Sequence, residues 1–267
     1  DHPNDVVFRT TLTGQELTRI PIPCRRDRYT AEGGPDTWWP TPEPPHRINQ
    51  IYLEPILLEH ATAMPGVTLL DRTQITGFVQ EKGRVTGVQT ADGVLAADEV
   101  VLSAGAWSGD LLRTLGLELP VEPVKGQMIL FKCAEDFLPS MVLAKGRYAI
   151  PRRDGHILVG STLEHAGYDK TPTGDALESL KASAVELLPE LEGATVVAHW
   201  AGLRPGSPEG IPYIGPVPGH EGLWLNCGHY RNGLVLAPAS CQLFTDLLTG
   251  AEPIIDPAPY APEGRLG

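Results

Sequence analysis

Glycine and proline interrupt this chain so often that long regular elements are disfavoured. There are 29 glycines and 26 prolines among the 267 residues. Glycine weakens helix and strand interiors, and proline lacks a backbone donor, so both residues favour turns. The apolar fraction of 42% is nevertheless ordinary for a globular domain. The sequence therefore predicts a folded core built from short elements with frequent turns.

Apolar periodicity predicts where these elements lie. Strands are predicted at 67–70, 75–80, 85–90, 94–97, 99–103, 121–132, 147–151, 156–160, 195–200, 212–214 and 223–226. A hairpin is predicted at 5–23, and helices at 47–64 (amphipathic), 107–115, 175–188 and 232–249. The strands alternate between a parallel segment and a larger antiparallel segment. This pattern predicts an interleaved α/β plus α+β protein.

Four regions follow from this pattern. Residues 1–120 and 201–250 are expected to form one sheet region with a meander and a final helix. Residues 121–200 are expected to form an antiparallel domain. The proline-rich tail, 251–267, is expected to be loosely held.

Charge and cysteine content exclude several classes of function. The net charge of -12 argues against nucleic acid and anionic membrane surfaces as partners. The cysteines, which stand far apart, indicate core thiols in a reducing, cytoplasmic compartment rather than a zinc site or a disulfide framework. They are Cys24, Cys133, Cys227 and Cys241. No metal-ligand spacing, catalytic triad or apolar run long enough to span a bilayer is present.

Two arginines beside glycines mark the most informative stretch, Gly202 to Pro238. Arg204 lies in a Gly-Leu-Arg-Pro-Gly motif, which we expect to form a turn, and Arg231 lies in Gly-His-Tyr-Arg-Asn-Gly before a helix. Guanidinium groups bind carboxylates in a bidentate fashion, and amides at a helix start suit an anion or an electron-rich ring. The stretch therefore predicts a pocket that holds an amino acid against a flavin. Lys125, by contrast, is expected at the surface or at a strand end.

From about residue 67 to 250 the chain resembles the glycine oxidase branch of the D-amino-acid oxidase family of flavoproteins. The resemblance rests on five motifs in order: Val-Val-Leu-Ser-Ala-Gly-Ala-Trp-Ser at 100–108, Pro-Val-Lys-Gly-Gln-Met at 123–128, Tyr-Ala-Ile-Pro-Arg at 148–152, and the two arginine motifs. It implies FAD as cofactor and substrate carboxylate binding by Tyr148, Arg204 and Arg231. It also implies flavin contacts, which we expect from Ile75, Gly105, His229, Tyr230, Arg231, Asn232, Gly233, Leu234 and Val235.

Residues 1–65 have a different resemblance. Pro-His-Arg-Ile-Asn-Gln-Ile-Tyr at 45–52 is similar to a segment of the flavin-dependent aromatic hydroxylases. This resemblance implies that Arg47 and Gln50 contact the flavin ribityl chain and phosphates. A polar face on an amphipathic helix is the alternative interpretation of both residues.

The dinucleotide fingerprint of both families is missing. No Gly-x-Gly pair, and hence no Gly-x-Gly-x-x-Gly, occurs in the chain. We therefore expect a Rossmann-like FAD-binding region without its first βαβ unit, interleaved with an antiparallel substrate domain. The implied reaction is oxidation of glycine, sarcosine or small D-amino acids by dioxygen, with a homo-oligomer or a missing N-terminal segment or subunit completing the protein. An aromatic hydroxylase and a non-catalytic remnant or subunit remain as alternatives.

Overall fold

The computed structural model describes residues 5–11, 13–22 and 50–267. The chain divides into two compact units, Asp1–Leu69 and Leu70–Gly267. The strands are β1 Val6–Arg9, β2 Glu16–Ile20, β3 Ile75–Glu81, β4 Arg84–Thr90, β5 Gly93–Ala96, β6 Val100–Leu102, β7 Glu122–Lys132, β8 Val142–Ala144, β9 Arg147–Pro151, β10 His156–Gly160, β11 Thr195–Gly206, β12 Tyr213–Pro216 and β13 Leu223–Cys227. The helices are α1 Gln50–Ala63, α2 Ser108–Arg113, α3 Gly174–Leu187 and α4 Gly233–Thr249.

The N-terminal unit contains the predicted hairpin and the predicted first helix. β1 pairs antiparallel with β2; Arg19 forms ion pairs with Asp5, just before β1, at 2.7 Å and with Glu16 of its own strand at 2.8 Å. No residue of α1 is buried, so the apolar face predicted for this helix is exposed. The strand predicted at 67–70 is wrong, because that segment pairs with none of the described strands.

Two small sheets form one part of the larger unit. β13 pairs parallel with β6 and antiparallel with β12, while β3, β4 and β5 form an antiparallel meander. Their shared core consists of Val85, Leu102, Leu112, Leu119, Val121, Tyr213, Val217, Leu223, Leu225 and Cys227. In chain order, the strands of this part come before β7 and after β11. The predicted interleaved α/β plus α+β fold is therefore confirmed.

A five-stranded antiparallel sheet forms the other part, in the order β11-β7-β10-β9-β8. Helix α3 packs on one face of this sheet. The buried core there consists of Ile129, Phe131, Leu138, Ala149, Ile157, Val159, Leu180, Ala184, Leu188 and Leu191. Because side chains alternate between the faces of a strand, the residues between these positions point to the opposite face.

The predicted turn at Gly202–Gly206 is instead the second half of β11. β11 lies at an edge of the sheet, where a proline such as Pro205 is tolerated because only one side of the strand is hydrogen bonded. A Cβ at Gly206 would lie 2.6 Å from Cγ2 of Val124, so glycine permits close strand packing there. β11 continues across the region boundary expected at residue 200.

The C-terminal tail differs from the expectation of a loosely held segment. The guanidinium of Arg265 donates to the carbonyl oxygens of Ile211 at 3.0 Å, Pro212 at 2.9 Å and Pro259 at 3.2 Å. It also lies 3.9 Å from the ring centroid of buried Tyr213. These contacts hold the tail against the body of the larger unit.

We expect Arg265→Ala to lower the free energy of unfolding by about 2 kcal/mol, because it removes charge-assisted hydrogen bonds and a cation–π contact. Urea denaturation followed by circular dichroism measures this change. Arg113→Ala is the matched control, since Arg113 makes only an exposed ion pair with Asp110 within α2 and its loss should cost less than about 0.5 kcal/mol. Equal effects of the two substitutions would show that Arg265 does not hold the tail.

Candidate active site

Three glycines leave part of one face of the five-stranded sheet without side chains. Gly126 pairs with Gly202, and Gly160 pairs with Met128 and with Tyr148. Because directly paired residues lie on the same side of a sheet, and Gly126 and Met128 are two residues apart on β7, all five positions share one face. This face lies opposite α3. We call Gly126, Gly160 and Gly202 the glycine floor.

Arg204 extends its guanidinium across this floor. A Cβ added to Gly126 would lie 2.0 Å from Nη1 of Arg204, so only glycine leaves space for this side chain. Nη2 donates a hydrogen bond to the Ser161 hydroxyl oxygen at 2.7 Å. No carboxylate among the described residues forms an ion pair with Arg204, which is half-buried. A cation in such a position is stabilised when an anionic ligand binds.

Tyr148 occupies the same face. Its hydroxyl donates to the sulfur of Met128 at 3.2 Å, and a Cβ at Gly160 would lie 2.8 Å from the hydroxyl oxygen. The aromatic ring therefore lies against the glycine floor. Ser161, which contacts Arg204, directly follows Gly160. The structure thus brings Tyr148 and Arg204, two predicted substrate-binding residues, to neighbouring places on one surface.

Arg231 lies on a loop that is attached to the end of β11. The Tyr230 amide donates to the Pro205 carbonyl oxygen at 3.1 Å, and the Ser207 hydroxyl donates to the Gly228 carbonyl oxygen at 2.6 Å. The backbone carrying Arg231 is therefore beside the strand that carries Arg204. The side chain of Arg231 is exposed, and within the described part of the chain it has no recorded hydrogen bond or ion pair.

Helix α4 begins directly after this loop. The first amide groups of a helix, here those of Gly233, Leu234 and Val235, have no intrahelical acceptor, and they carry the positive end of the helix dipole. Leu234 is 42% exposed and Val235 is 82% exposed. Open amide donors beside exposed apolar side chains fit the edge and face of a flat heteroaromatic ring. The residues from which flavin contacts are expected, Asn232 to Val235, thus lie together at the start of α4.

His229 has a structural contact at the base of this helix. Its Nε2 lies 2.8 Å from the hydroxyl oxygen of buried Ser240. Burial lowers the pKa of His229 below its ordinary value, so the ring is neutral near pH 7. Tyr230, the next residue, has a positive φ of 49°. Together they fix the direction in which the loop enters α4.

The other predicted cofactor residues lie in separate elements of the chain. Gly105 begins a 3-10 turn after β6 with φ of 56°, and no atom lies within 4 Å of a Cβ placed there. Ile75 begins β3 and pairs with Thr90. Gln50 begins α1 in the N-terminal unit, where its amide contacts Glu54. Arg47 lies outside the described residues.

Sequence reasoning missed a buried polar group on the opposite face of the sheet. Lys125, expected at the surface, is only 1% exposed, and its Nζ donates to the Thr171 carbonyl oxygen at 2.6 Å. The Gln127 side chain donates to Glu164 at 2.9 Å and accepts from the Thr173 amide at 2.9 Å. The sequence contained a signal of these buried polar groups. Polar residues alternate with apolar ones inside β7, and a polar residue on a buried face requires hydrogen-bond partners.

Ser161 was also missed. It is half-buried, and its contact with Arg204 depends on strand pairing that no local pattern reveals. Among the residues the structure covers, there is no group of three His, Cys, Asp or Glu side chains that could hold a metal ion, and no helix with the length and apolarity that crossing a membrane requires.

Comparison with known proteins identifies the family to which this chain is similar. Residues 56–247 match the family model described as FAD dependent oxidoreductase. The chain is 96% identical over 205 residues to glycine oxidase of Pseudomonas putida, covering 77% of this chain and 56% of that protein. It is 73% identical over 198 residues to glycine oxidase of Pseudomonas aeruginosa, covering 74% and 54% of the two chains.

A solved structure has the same fold over the shared part. The crystal structure of glycine oxidase from Geobacillus kaustophilus matches with a TM-score of 0.68 at 33% identity, covering 73% of this chain and 53% of that one. The chain spans about half the length of these relatives. The resemblance expected from the motifs of 67–250 is confirmed, whereas the hydroxylase resemblance of residues 1–65 stays a prediction. The chain belongs to the FAD dependent oxidoreductase family.

Proposed function

We propose that this chain supplies the substrate-binding surface and the flavin-ring contacts of an FAD-dependent oxidase of glycine, sarcosine or small D-amino acids. The observation that carries the proposal is Arg204, a half-buried cation that crosses the glycine floor without a carboxylate partner among the described residues. Relatives named glycine oxidase support the substrate class.

The substrate carboxylate binds Arg204 in this proposal. A guanidinium offers two parallel N–H donors that match the two oxygens of a carboxylate. Tyr148 donates a further hydrogen bond by releasing its weak contact with the Met128 sulfur, and Arg231 closes the site from the neighbouring loop. Because Tyr148 and Met128 occupy one side of the glycine floor, the space beside Arg204 favours an amino acid with a small side chain.

FAD is the proposed cofactor, and when bound it supplies the acceptor for the hydride that leaves the amino acid Cα. The open amides of Gly233 to Val235 would contact its ring, and the exposed Leu234 and Val235 side chains would be covered by it. The loop residues His229 to Asn232, with Gly105 and Ile75, would line the rest of this contact. Arg47 and Gln50 remain candidates for the ribityl chain and phosphates.

The residues of this chain contribute position rather than proton transfer. Tyr148 and Arg204 fix the carboxylate, which orients the Cα–H bond, and correct orientation alone lowers the barrier substantially. The helix dipole at the start of α4 would stabilise negative charge on a ring bound there. His229 is neutral and contacts Ser240, so it need not act as a base. Amino acids whose amine is unprotonated can react in this arrangement without a catalytic acid or base.

Binding of the FAD pyrophosphate requires a fingerprint that these 267 residues lack. We therefore propose that a βαβ unit from an additional segment or subunit completes the site, within a homo-oligomer or a longer polypeptide. The described cysteines, Cys133, Cys227 and Cys241, are free thiols, which supports the proposal of a reducing, cytoplasmic location.

We expect visible flavin absorbance and peroxide release from glycine or sarcosine only when the chain is joined to a βαβ unit carrying Gly-x-Gly-x-x-Gly. In that holoenzyme, Arg204→Ala and Arg231→Ala should each raise KM roughly 100-fold, which corresponds to about 3 kcal/mol of lost charge-assisted bonding. Steady-state peroxide assays measure this change.

Each other result of that experiment has a defined meaning. An unchanged KM in Arg231→Ala removes this residue from the site. Flavin binding by the chain alone contradicts the requirement for a further βαβ unit. NADPH oxidation stimulated by a phenol, without oxidation of glycine, would instead support the hydroxylase alternative. A flavin-free, inactive protein after joining to the βαβ unit would support a non-catalytic remnant.

We expect Gly126→Ala to weaken carboxylate binding at least tenfold with little loss of stability. The new Cβ would displace the mobile end of Arg204, which it meets at 2.0 Å, rather than the backbone. Acetate titration followed by NMR measures binding, and thermal unfolding measures stability. Gly174→Ala is the matched control, because no atom lies within 4 Å of a Cβ at that helix position. Unchanged acetate binding in Gly126→Ala would contradict the assignment of Arg204.

A further inference from the structure

We infer that Ser161 is a positioning residue that holds the Arg204 guanidinium in the orientation in which it receives a carboxylate. The inference rests on the proposed function and concerns a residue outside the five motifs of the family resemblance. Its first support is the hydrogen bond of 2.7 Å from Nη2 of Arg204 to the Ser161 hydroxyl. Arg204 has two further contacts that direct it: it crosses Gly126, and Nη1 lies 3.5 Å from the Thr162 carbonyl oxygen.

The backbone of Ser161 is itself fixed on both sides. Its carbonyl oxygen accepts a hydrogen bond from Nη1 of Arg147. The next residue, buried Thr162, accepts from the Gln127 amide at 2.8 Å through its hydroxyl, and its own amide donates to the Gln127 carbonyl oxygen at 3.2 Å. Ser161 therefore has a fixed place relative to β7 and β9.

The segment that begins at Ser161, residues 161–173, contacts the rest of the larger unit at two further places. On the α3 face, buried Lys125 donates to the Thr171 carbonyl oxygen. Earlier in the segment, the Tyr168 ring stacks on Trp107 with centroids 5.9 Å apart, and its hydroxyl donates to the Ala106 carbonyl oxygen at 3.1 Å. The segment joins the antiparallel sheet to the turn after β6, and Ser161 is its first residue. These contacts of the segment explain why a buried lysine and a buried glutamine, Lys125 and Gln127, are present on the α3 face of the sheet.

Orientation matters because an arginine side chain is flexible. Holding it in one rotamer costs conformational entropy, and that cost reduces ligand affinity unless the side chain is already ordered in the free protein. The Ser161 hydroxyl engages one N–H of Nη2 and the Thr162 carbonyl oxygen engages one N–H of Nη1, which leaves the other guanidinium donors available. A preorganised fork binds a carboxylate more tightly than a mobile one.

The test compares Ser161→Thr with Ser161→Val, two side chains of the same shape of which only threonine has a hydroxyl. We expect Ser161→Thr to bind acetate within about twofold of the original chain, and Ser161→Val to bind roughly tenfold more weakly, as loss of one hydrogen bond to a charged group predicts. Acetate is titrated by NMR, and the Arg204 side-chain N–H signals, identified by their loss in Arg204→Ala, report its mobility. Those signals should broaden or average in Ser161→Val alone.

Ser183→Ala is the control, because the Ser183 hydroxyl donates only to the Ser179 carbonyl oxygen within α3. Equal acetate affinities and equal Arg204 signals in the threonine and valine variants would overturn the inference while leaving the proposed function intact. If acetate binding in the original chain is insensitive to Arg204→Ala, the proposed function fails first, and the inference fails with it. In the flavin-loaded protein, Ser161→Val should raise KM with a smaller effect on kcat.

Discussion

The pairing of β7 with both β10 and β11 determines which face of the sheet carries Arg204 and Tyr148 of the candidate site. A strand has two faces, and a shift of one residue would exchange them. The observed register places Gly126, Gly160 and Gly202 on one face and the apolar residues that contact α3 on the other. Arg204 and Tyr148 reach the same surface because of strand pairing: β11, which carries Arg204, pairs with β7, and β9, which carries Tyr148, pairs with β10. The α3 core thus stabilises the face that carries Arg204 and Tyr148, although it lies on the opposite side of the sheet.

Local sequence patterns predicted the elements that depend on local forces. The strands at 147–151 and 156–160 have the predicted bounds, and the last two helices begin within a residue of prediction, because apolar periodicity and glycine turns act over a few residues. The family motifs identified Arg204 and Tyr148 as candidates, and strand pairing brings the two residues to one face of the sheet. The sequence of one strand could not show that β11 continues through Pro205. A proline is tolerated there because β11 lies at an edge of the sheet, which only the tertiary fold determines.

Long-range contacts account for most of what the sequence did not reveal. Lys125 is buried because a segment some forty residues later folds back to accept its hydrogen bond. The tail is held because Arg265 finds carbonyl groups more than fifty residues earlier. Ser161 has no motif of its own, and its contact with Arg204 arises from strands that are distant in sequence. Each of these contacts joins a polar group to a partner that only the tertiary fold supplies.

A crystal structure of the chain grown with acetate tests the central claim most directly. The account predicts an acetate carboxylate within hydrogen-bond distance of the Arg204 guanidinium, above Gly126, with the Ser161 contact preserved. An Arg204 side chain turned away from the glycine floor, or paired with a carboxylate of the protein and leaving no acetate there, would contradict it.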